Sequence, residues 1–199
     1  MEPIPEHEYA FRFESGRLCL DFVATVGERW RRSFERLRSP ADLASWFVQA
    51  GMMSTPPRPS HAQLEGAREL REAIYRTVKP APSRRPHRRD VETINRWASR
   101  PPLAPRLGPG RREVSWSSRR PVHAALATIA RDAIDLVSGP WAGRVRECAR
   151  DDCALLFVDM SRPGRRRWCS MEACGNRTKT AAYRRRRRQK EDRDGAPAA

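Results

Sequence analysis

Four cysteines carry the most definite chemistry in this chain. Cys148 and Cys153 are separated by four residues, fifteen residues follow, and Cys169 and Cys174 are again separated by four. Zinc takes four ligands in a tetrahedron, and thiolates are soft, charge-neutralising donors at about 2.3 Å. Each pair sits on a short turn able to present two sulfurs to one ion. The expectation is one structural Zn2+ held by Cys148, Cys153, Cys169 and Cys174, with redox chemistry on the same thiolates as a compatible alternative. Cys19 stands apart in an apolar run and reads as a small core residue. The four histidines, His7, His61, His87 and His123, are scattered, and nothing pairs them with a metal.

Charge points to the partner. The 199 residues carry a net charge of +16. From Arg144 to Lys190 there are 15 basic and 5 acidic residues, and from Arg162 to Lys190 twelve basic residues meet one acid, Glu172. Such a field attracts polyanions, nucleic acid first and anionic membrane second. Arginine suits bidentate contact with phosphate or a guanine edge, and asparagine can pair with adenine. The candidate nucleic-acid contacts are Arg165, Arg166, Arg167, Asn176, Arg177, Lys179, Tyr183, Arg184, Arg185, Arg187 and Arg188. DNA is the expected partner, with RNA the alternative through stacking on Trp168 or Tyr183, and nonspecific polyanion binding the simpler one. No apolar stretch is long enough to span a membrane, and the acidic start Glu2-Pro3-Ile4-Pro5-Glu6 lacks a signal core, so a cytoplasmic protein is expected.

These groups must be positioned by short elements. Phe11 and Phe13 flank Arg12 in strand-like alternation, and Glu14-Ser15-Gly16 signals a turn before Leu18–Val23 enters a buried helix. Ser39 before Pro40, with Asp42 three residues after Ser39, opens a helix that stops at Gly51. Ser60 opens the clearest helix, with Leu64, Ala67, Leu70, Ile74, Tyr75 and Val78 on one face. Asp90 can cap a short helix burying Val91, Ile94 and Trp97. Two strands, 103–107 and 113–116, flank Gly108-Pro109-Gly110 as a hairpin. Pro121 opens a last long helix, ended by Ser138-Gly139-Pro140. Between the cysteine pairs, 154–168 reads as a hairpin, Leu155–Val158 returning through Arg166–Trp168, and a basic helix starts at Asn176.

The fold class expected is α+β: a mainly helical N-terminal domain with a small β-hairpin (1–143), then a zinc-bound ββα-type, treble-clef-like module (144–188), then a disordered tail (189–199). The second unit has too little core to fold without metal. Asp21, in an apolar setting near Arg12 and Arg17, reads as a helix-start carboxylate or salt bridge, or with those arginines as a ligand pocket. No Gly-rich phosphate loop, nucleophile–base pair or open metal site is visible, so the chain is expected not to be an enzyme.

The residues also carry a resemblance. Cys174-Gly175-Asn176-Arg177, preceded by Phe157-Val158-Asp159-Met160-Ser161-Arg162 and Arg166-Arg167-Trp168-Cys169-Ser170-Met171-Glu172, closely resembles the bacterial CGNR zinc-finger family. Gly16–Val23 and Leu70–Tyr75 look like the ABATE domain that precedes the finger in that family. The resemblance implies a stress-induced transcriptional regulator whose finger binds DNA near the nucleoid. A homodimer and a small-molecule effector of the N-terminal domain are compatible with it.

Overall fold

The computed structural model describes residues 3–79, 85–108, 110 and 114–194. Pro109 of the turn expected at 108–110, the start of the strand expected at 113, and part of the Pro- and Arg-rich loop after Lys79 therefore lie outside the described residues, as do residues 195–199 and the side chain of Arg188.

Chain entry is a 3-10 turn, Glu6–Tyr9, and the following segment through Phe13, expected to be strand-like, forms no strand. Gly16, at φ +81°, makes a left-handed turn that a side chain would strain. It leads into α1, Leu18–Val23, with Cys19, Leu20 and Phe22 fully buried. A two-residue antiparallel pair follows, β1 (Val26–Gly27) with β2 (Phe34–Glu35). Helix α2, Pro40–Gln49, opens on the capping box of Ser39 and Asp42. Helix α3, His61–Val78, opens on a second, Ser60 with Gln63.

Helix α4, Arg88–Ala98, departs from expectation at its cap. His87 Nδ1 accepts from the Arg89 amide at 3.3 Å, while Asp90 sits inside the first turn and takes Arg76 of α3 at 2.6–3.1 Å. An arginine one helix away offers the Asp90 carboxylate a stronger partner than its own backbone does. Val91 is exposed, so the buried face is Ile94 and Trp97. Strands β3 (Ala104–Leu107) and β4 (Val114–Ser117) pair antiparallel, with Pro105 opposite Trp116 and Leu107 opposite Val114. Helix α5, Pro121–Ser138, closes the domain.

Helices α1, α3, α4 and α5 share one core, with Leu70, Ile74, Leu126, Ile129 and Leu136 fully buried. On its flank Trp46 meets Phe22 and Phe47 edge-on, at centroid distances of 5.0 and 5.9 Å. Ion pairs brace the elements: Arg71 grips both oxygens of Glu35 at 2.7 Å, and Asp132 of α5 takes Arg17 and the Cys19 amide at the start of α1.

The C-terminal third begins with β5 (Val145–Glu147), which pairs with β6 (Leu156–Val158) in the register Val145↔Val158 and Glu147↔Leu156. The expected hairpin of 155–158 with 166–168 is corrected accordingly: β6 turns back on the segment before the first cysteine pair. Residues 166–168 form no strand, because the Asp159 carboxylate ties the intervening loop to the Ser161 and Arg166 amides. A π-helical turn, Met171–Gly175, runs into α6, Asn176–Asp194. The helix thus continues past Arg188, where a tail was expected to begin.

Strand alternation sorts β6 between two cores. Leu156 and Val158 pack into the helical core together with Val145, while Phe157 faces the other way, among Cys148, Cys169 and Cys174. The mixed class, mostly helical with small antiparallel sheets and then a four-cysteine module, is α+β.

Candidate metal centre and its basic helix

The two cysteine pairs meet because two different local structures present them. Cys148 follows β5 and Cys153 precedes β6, so the four residues between them are the tip of that hairpin. The Cys148 amide donates to Leu155 O at 2.9 Å and the Cys153 amide to Arg150 O at 3.1 Å. Ala154, at φ +53°, completes the turn. Cys169 and Cys174 straddle the π-helical turn, whose first residues are capped by Ser170 accepting from the Ala173 amide.

The four sulfurs lie within 4.8 Å of one another. Cys169 and Cys174 are 3.4 Å apart, and Cys153 and Cys169 3.8 Å. A tetrahedron of thiolates at about 2.3 Å from zinc has sulfurs about 3.8 Å apart, so the donor set fits that ion with shifts of about 1 Å or less. Cys148, Cys169 and Cys174 are buried and Cys153 is half-buried. Left to themselves these groups share protons: the hydrogen bond between Cys148 and Cys153 holds the first well below the usual thiol range and pushes the second well above it. A divalent cation removes that conflict by letting all four ionise. Four thiolates leave no open position, which makes the site structural.

Around the sulfurs lies a layer that spacing alone does not disclose. Arg12, from the N-terminal segment, points its guanidinium at Cys153 Sγ (4.0 Å) and Cys169 Sγ (3.8 Å), and is itself held by Glu14 at 2.5 Å. Arg166 is turned inward, onto the carbonyls of Trp168 and Cys169 and over the Phe157 ring at 4.7 Å. It braces the second cysteine pair, a place for the side chain that was expected to contact nucleic acid. Fully buried Asp159 holds the loop before it, and its carboxyl lies below the usual range because the Ser161 hydroxyl and two amides donate to it.

The three residues weighed as a ligand pocket do not converge. Arg17 reaches Asp132 and Asp135 on α5, Asp21 accepts from the Ser15 amide (3.1 Å) and hydroxyl, and Arg12 sits on the sulfurs. A cleft of about 320 Å³ does separate the N-terminal segment from the module, lined among others by Arg12, Arg36, Cys153, Cys174 and Arg177. Arg36 is buried there, donating to the carbonyls of Glu8, Ala10 and Ala24, and burial pushes its guanidinium down to about 10. None of these partners is near it in sequence, so periodicity could not have found them.

Helix α6 starts two residues beyond Cys174 and is anchored there by Thr178 Oγ1 on Cys174 O at 2.8 Å. Asn176, Arg177, Lys179, Arg184, Arg185 and Arg187 are exposed, as is Tyr183 at 61 %. Arg165 and Arg167 are exposed on the preceding loop, Arg167 lying 5.4 Å over Trp168.

A helical domain joined to a closed four-thiolate module that launches a basic helix defines a zinc-finger protein. The chain belongs to the ABATE family, described as "Putative stress-induced transcription regulator", whose model matches residues 16–140. The CGNR zinc finger matches residues 144–187. No curated protein matches the chain. Among the described residues, no helix is long and apolar enough to cross a membrane.

Proposed function

We propose that the chain is a cytoplasmic, DNA-binding transcriptional regulator whose metal module delivers α6 to duplex DNA. The observation that carries this reading is the start of α6 at a metal ligand, with Asn176, Arg177, Lys179, Tyr183 and Arg184 exposed along its first turns. Nineteen helical residues extend about 28 Å, and a helix of this kind fits the width of the major groove. Asn176, Lys179 and Tyr183 share one face and are the candidate base readers. Arg185, Arg187, Arg188, Arg165 and Arg167 suit phosphates. The module acts as scaffold and not as catalyst, since four thiolates close its metal site. The N-terminal domain supplies the effector site or the dimer contact.

The test is selection from a randomised duplex pool by the zinc-loaded full-length protein at near-physiological salt. A defined motif is expected, and a two-fold motif would report a dimer. Arg177→Ala should cost about 1–3 kcal/mol at one base position if it reads a base, and a uniform loss on all sequences if it contacts phosphate. Retention of every sequence alike would sink the regulator reading. The exposed Tyr183 ring favours a second reading, stacking on unpaired RNA bases. Competition between duplex DNA and structured RNA at one salt concentration separates the two.

A further inference from the structure

Several arginines of the N-terminal domain are matched by a carboxylate, Arg17 by Asp132, Arg32 by Glu28, Arg71 by Glu35 and Arg76 by Asp90, and Arg36 and Arg131 are held by backbone carbonyls. At the N-terminus of α5 arginines gather that have neither kind of partner among the described residues. Two adjoining clefts open there, of about 450 and 280 Å³, both lined by Arg120 and His123. Arg100 and Arg119 line the larger, Arg58 and Gln63 the smaller, and among the described residues no acidic side chain lines either. Arg58, Arg100, Arg119 and Arg120 have no ion-pair partner among the described residues.

Three further features converge on the same place. Arg100 lies 3.9 Å over the Trp97 ring, and its Nη1 is buried with no hydrogen-bond acceptor. Such a donor is a deficit that the fold itself leaves unmet. Helix α5 begins with Pro121 after Arg120, and no side chain caps its first turn. His123 lies 5.9 Å from Trp97 with Nδ1 3.3 Å from Gln63 Nε2, and burial, with Arg100 and Arg120 beside it, holds its imidazole below the usual range. Free helix amides and forked guanidiniums call for the same complement, a compact anion with several acceptor oxygens.

We propose that this pole of α5 binds the phosphate group of a small phosphorylated molecule. Phosphate supplies enough acceptors for Arg119, Arg120 and the first-turn amides together, and the larger cleft has room for the group that bears it. A phosphate of the DNA backbone has the same chemistry. Against that source stands distance: the 18 residues of α5 span about 27 Å, and the metal module follows the opposite end. Service as the effector site of a regulator rests on the DNA-binding reading above, whereas phosphate binding does not.

The experiment titrates inorganic phosphate into zinc-loaded full-length protein at constant ionic strength, by calorimetry and by the His123 ring resonances. Saturable binding is expected, with the His123 titration moving to higher pH as phosphate fills the site. Arg120→Gln, an exposed position, and Arg100→Gln should each weaken binding roughly tenfold or more, with circular dichroism unchanged. Binding that never saturates, or that both variants retain, overturns the site. A second arm measures a short DNA duplex: unchanged affinity in Arg120→Gln supports a small ligand. Equal losses for duplex and phosphate would assign the site to the DNA backbone and overturn the small-molecule assignment.

Discussion

Single residues decide the metal site and one titration. Cys174 closes the tetrahedron and also receives Thr178 at the start of α6. Replacing Cys174 by Ser substitutes a poor ligand for a thiolate, so the purified variant should lose stoichiometric zinc, measured as metal per chain. Nucleic-acid affinity should fall with it, and retention of that affinity would show that the arginines act without the fold. Asp21 makes an independent prediction. Burial pushes its carboxyl up to about 6 against the Ser15 hydrogen bonds, with Asp132 and Glu14 adding repulsion. A raised carboxyl favours the neutral form in the fold, so its benefit is complete below the unfolded value near 4 and is lost as pH rises through about 6. Asp21→Asn keeps an acceptor for Ser15 and removes the charge. In urea unfolding it should match the wild type at pH 4 and be more stable at pH 8, by on the order of 1–3 kcal/mol. Equal stability at both pH values would refute the assignment.

At the scale of elements, caps and alternation do most of the positioning. Ser39 and Ser60 were legible as helix starts because a hydroxyl followed three residues later by an acceptor is a local pattern, and both form complete capping boxes. Ser60→Ala should cost about 1 kcal/mol of unfolding free energy, read from the shift of a denaturation midpoint at unchanged slope. Asp90 looked like an equivalent cap and is not, since Arg76 lies on another helix and no local pattern reports it. The hairpin between the cysteine pairs failed for a related reason. Val145-Arg146-Glu147 is three residues long and too short to show alternation, yet it is what Leu156–Val158 pairs with.

On the scale of the whole molecule, core and hydrogen-bond contacts cross the boundary expected at 143/144. Val145, Leu156 and Val158 lie in the helical core, the Val158 amide donates to Ser15 O at 2.9 Å, and Arg12 reaches the sulfurs from the other unit. A fragment of residues 144–190 should therefore bind zinc but remain loosely packed, because three core side chains would face water. Its amide NMR spectrum should show poor dispersion where the full chain is well dispersed. A well-dispersed fragment spectrum would make the module an independent unit. The net charge of +16 makes a second demand at this scale: affinity for any nucleic acid should fall steeply and linearly with log salt concentration, measured by titration across a salt series.

What the sequence determined by itself was everything that depends on short range. The four ligands, their matched spacing, the helix starts, the basic stretch after Cys174 and the family resemblance all lie within a few residues of one another. Zinc chemistry and capping act over such distances, so residue type and spacing suffice. The tertiary structure alone decided which arginines are engaged and which are free. It turned Arg166 inward, set Arg12 on the sulfurs, scattered the supposed trio of Arg12, Arg17 and Asp21, and gathered Arg58, Arg100, Arg119 and Arg120 around an uncapped helix. Arginine reads alike at every position in a chain this basic. Its role is set by whether a carboxylate, a carbonyl or nothing lies within reach across the fold, and only packing specifies that.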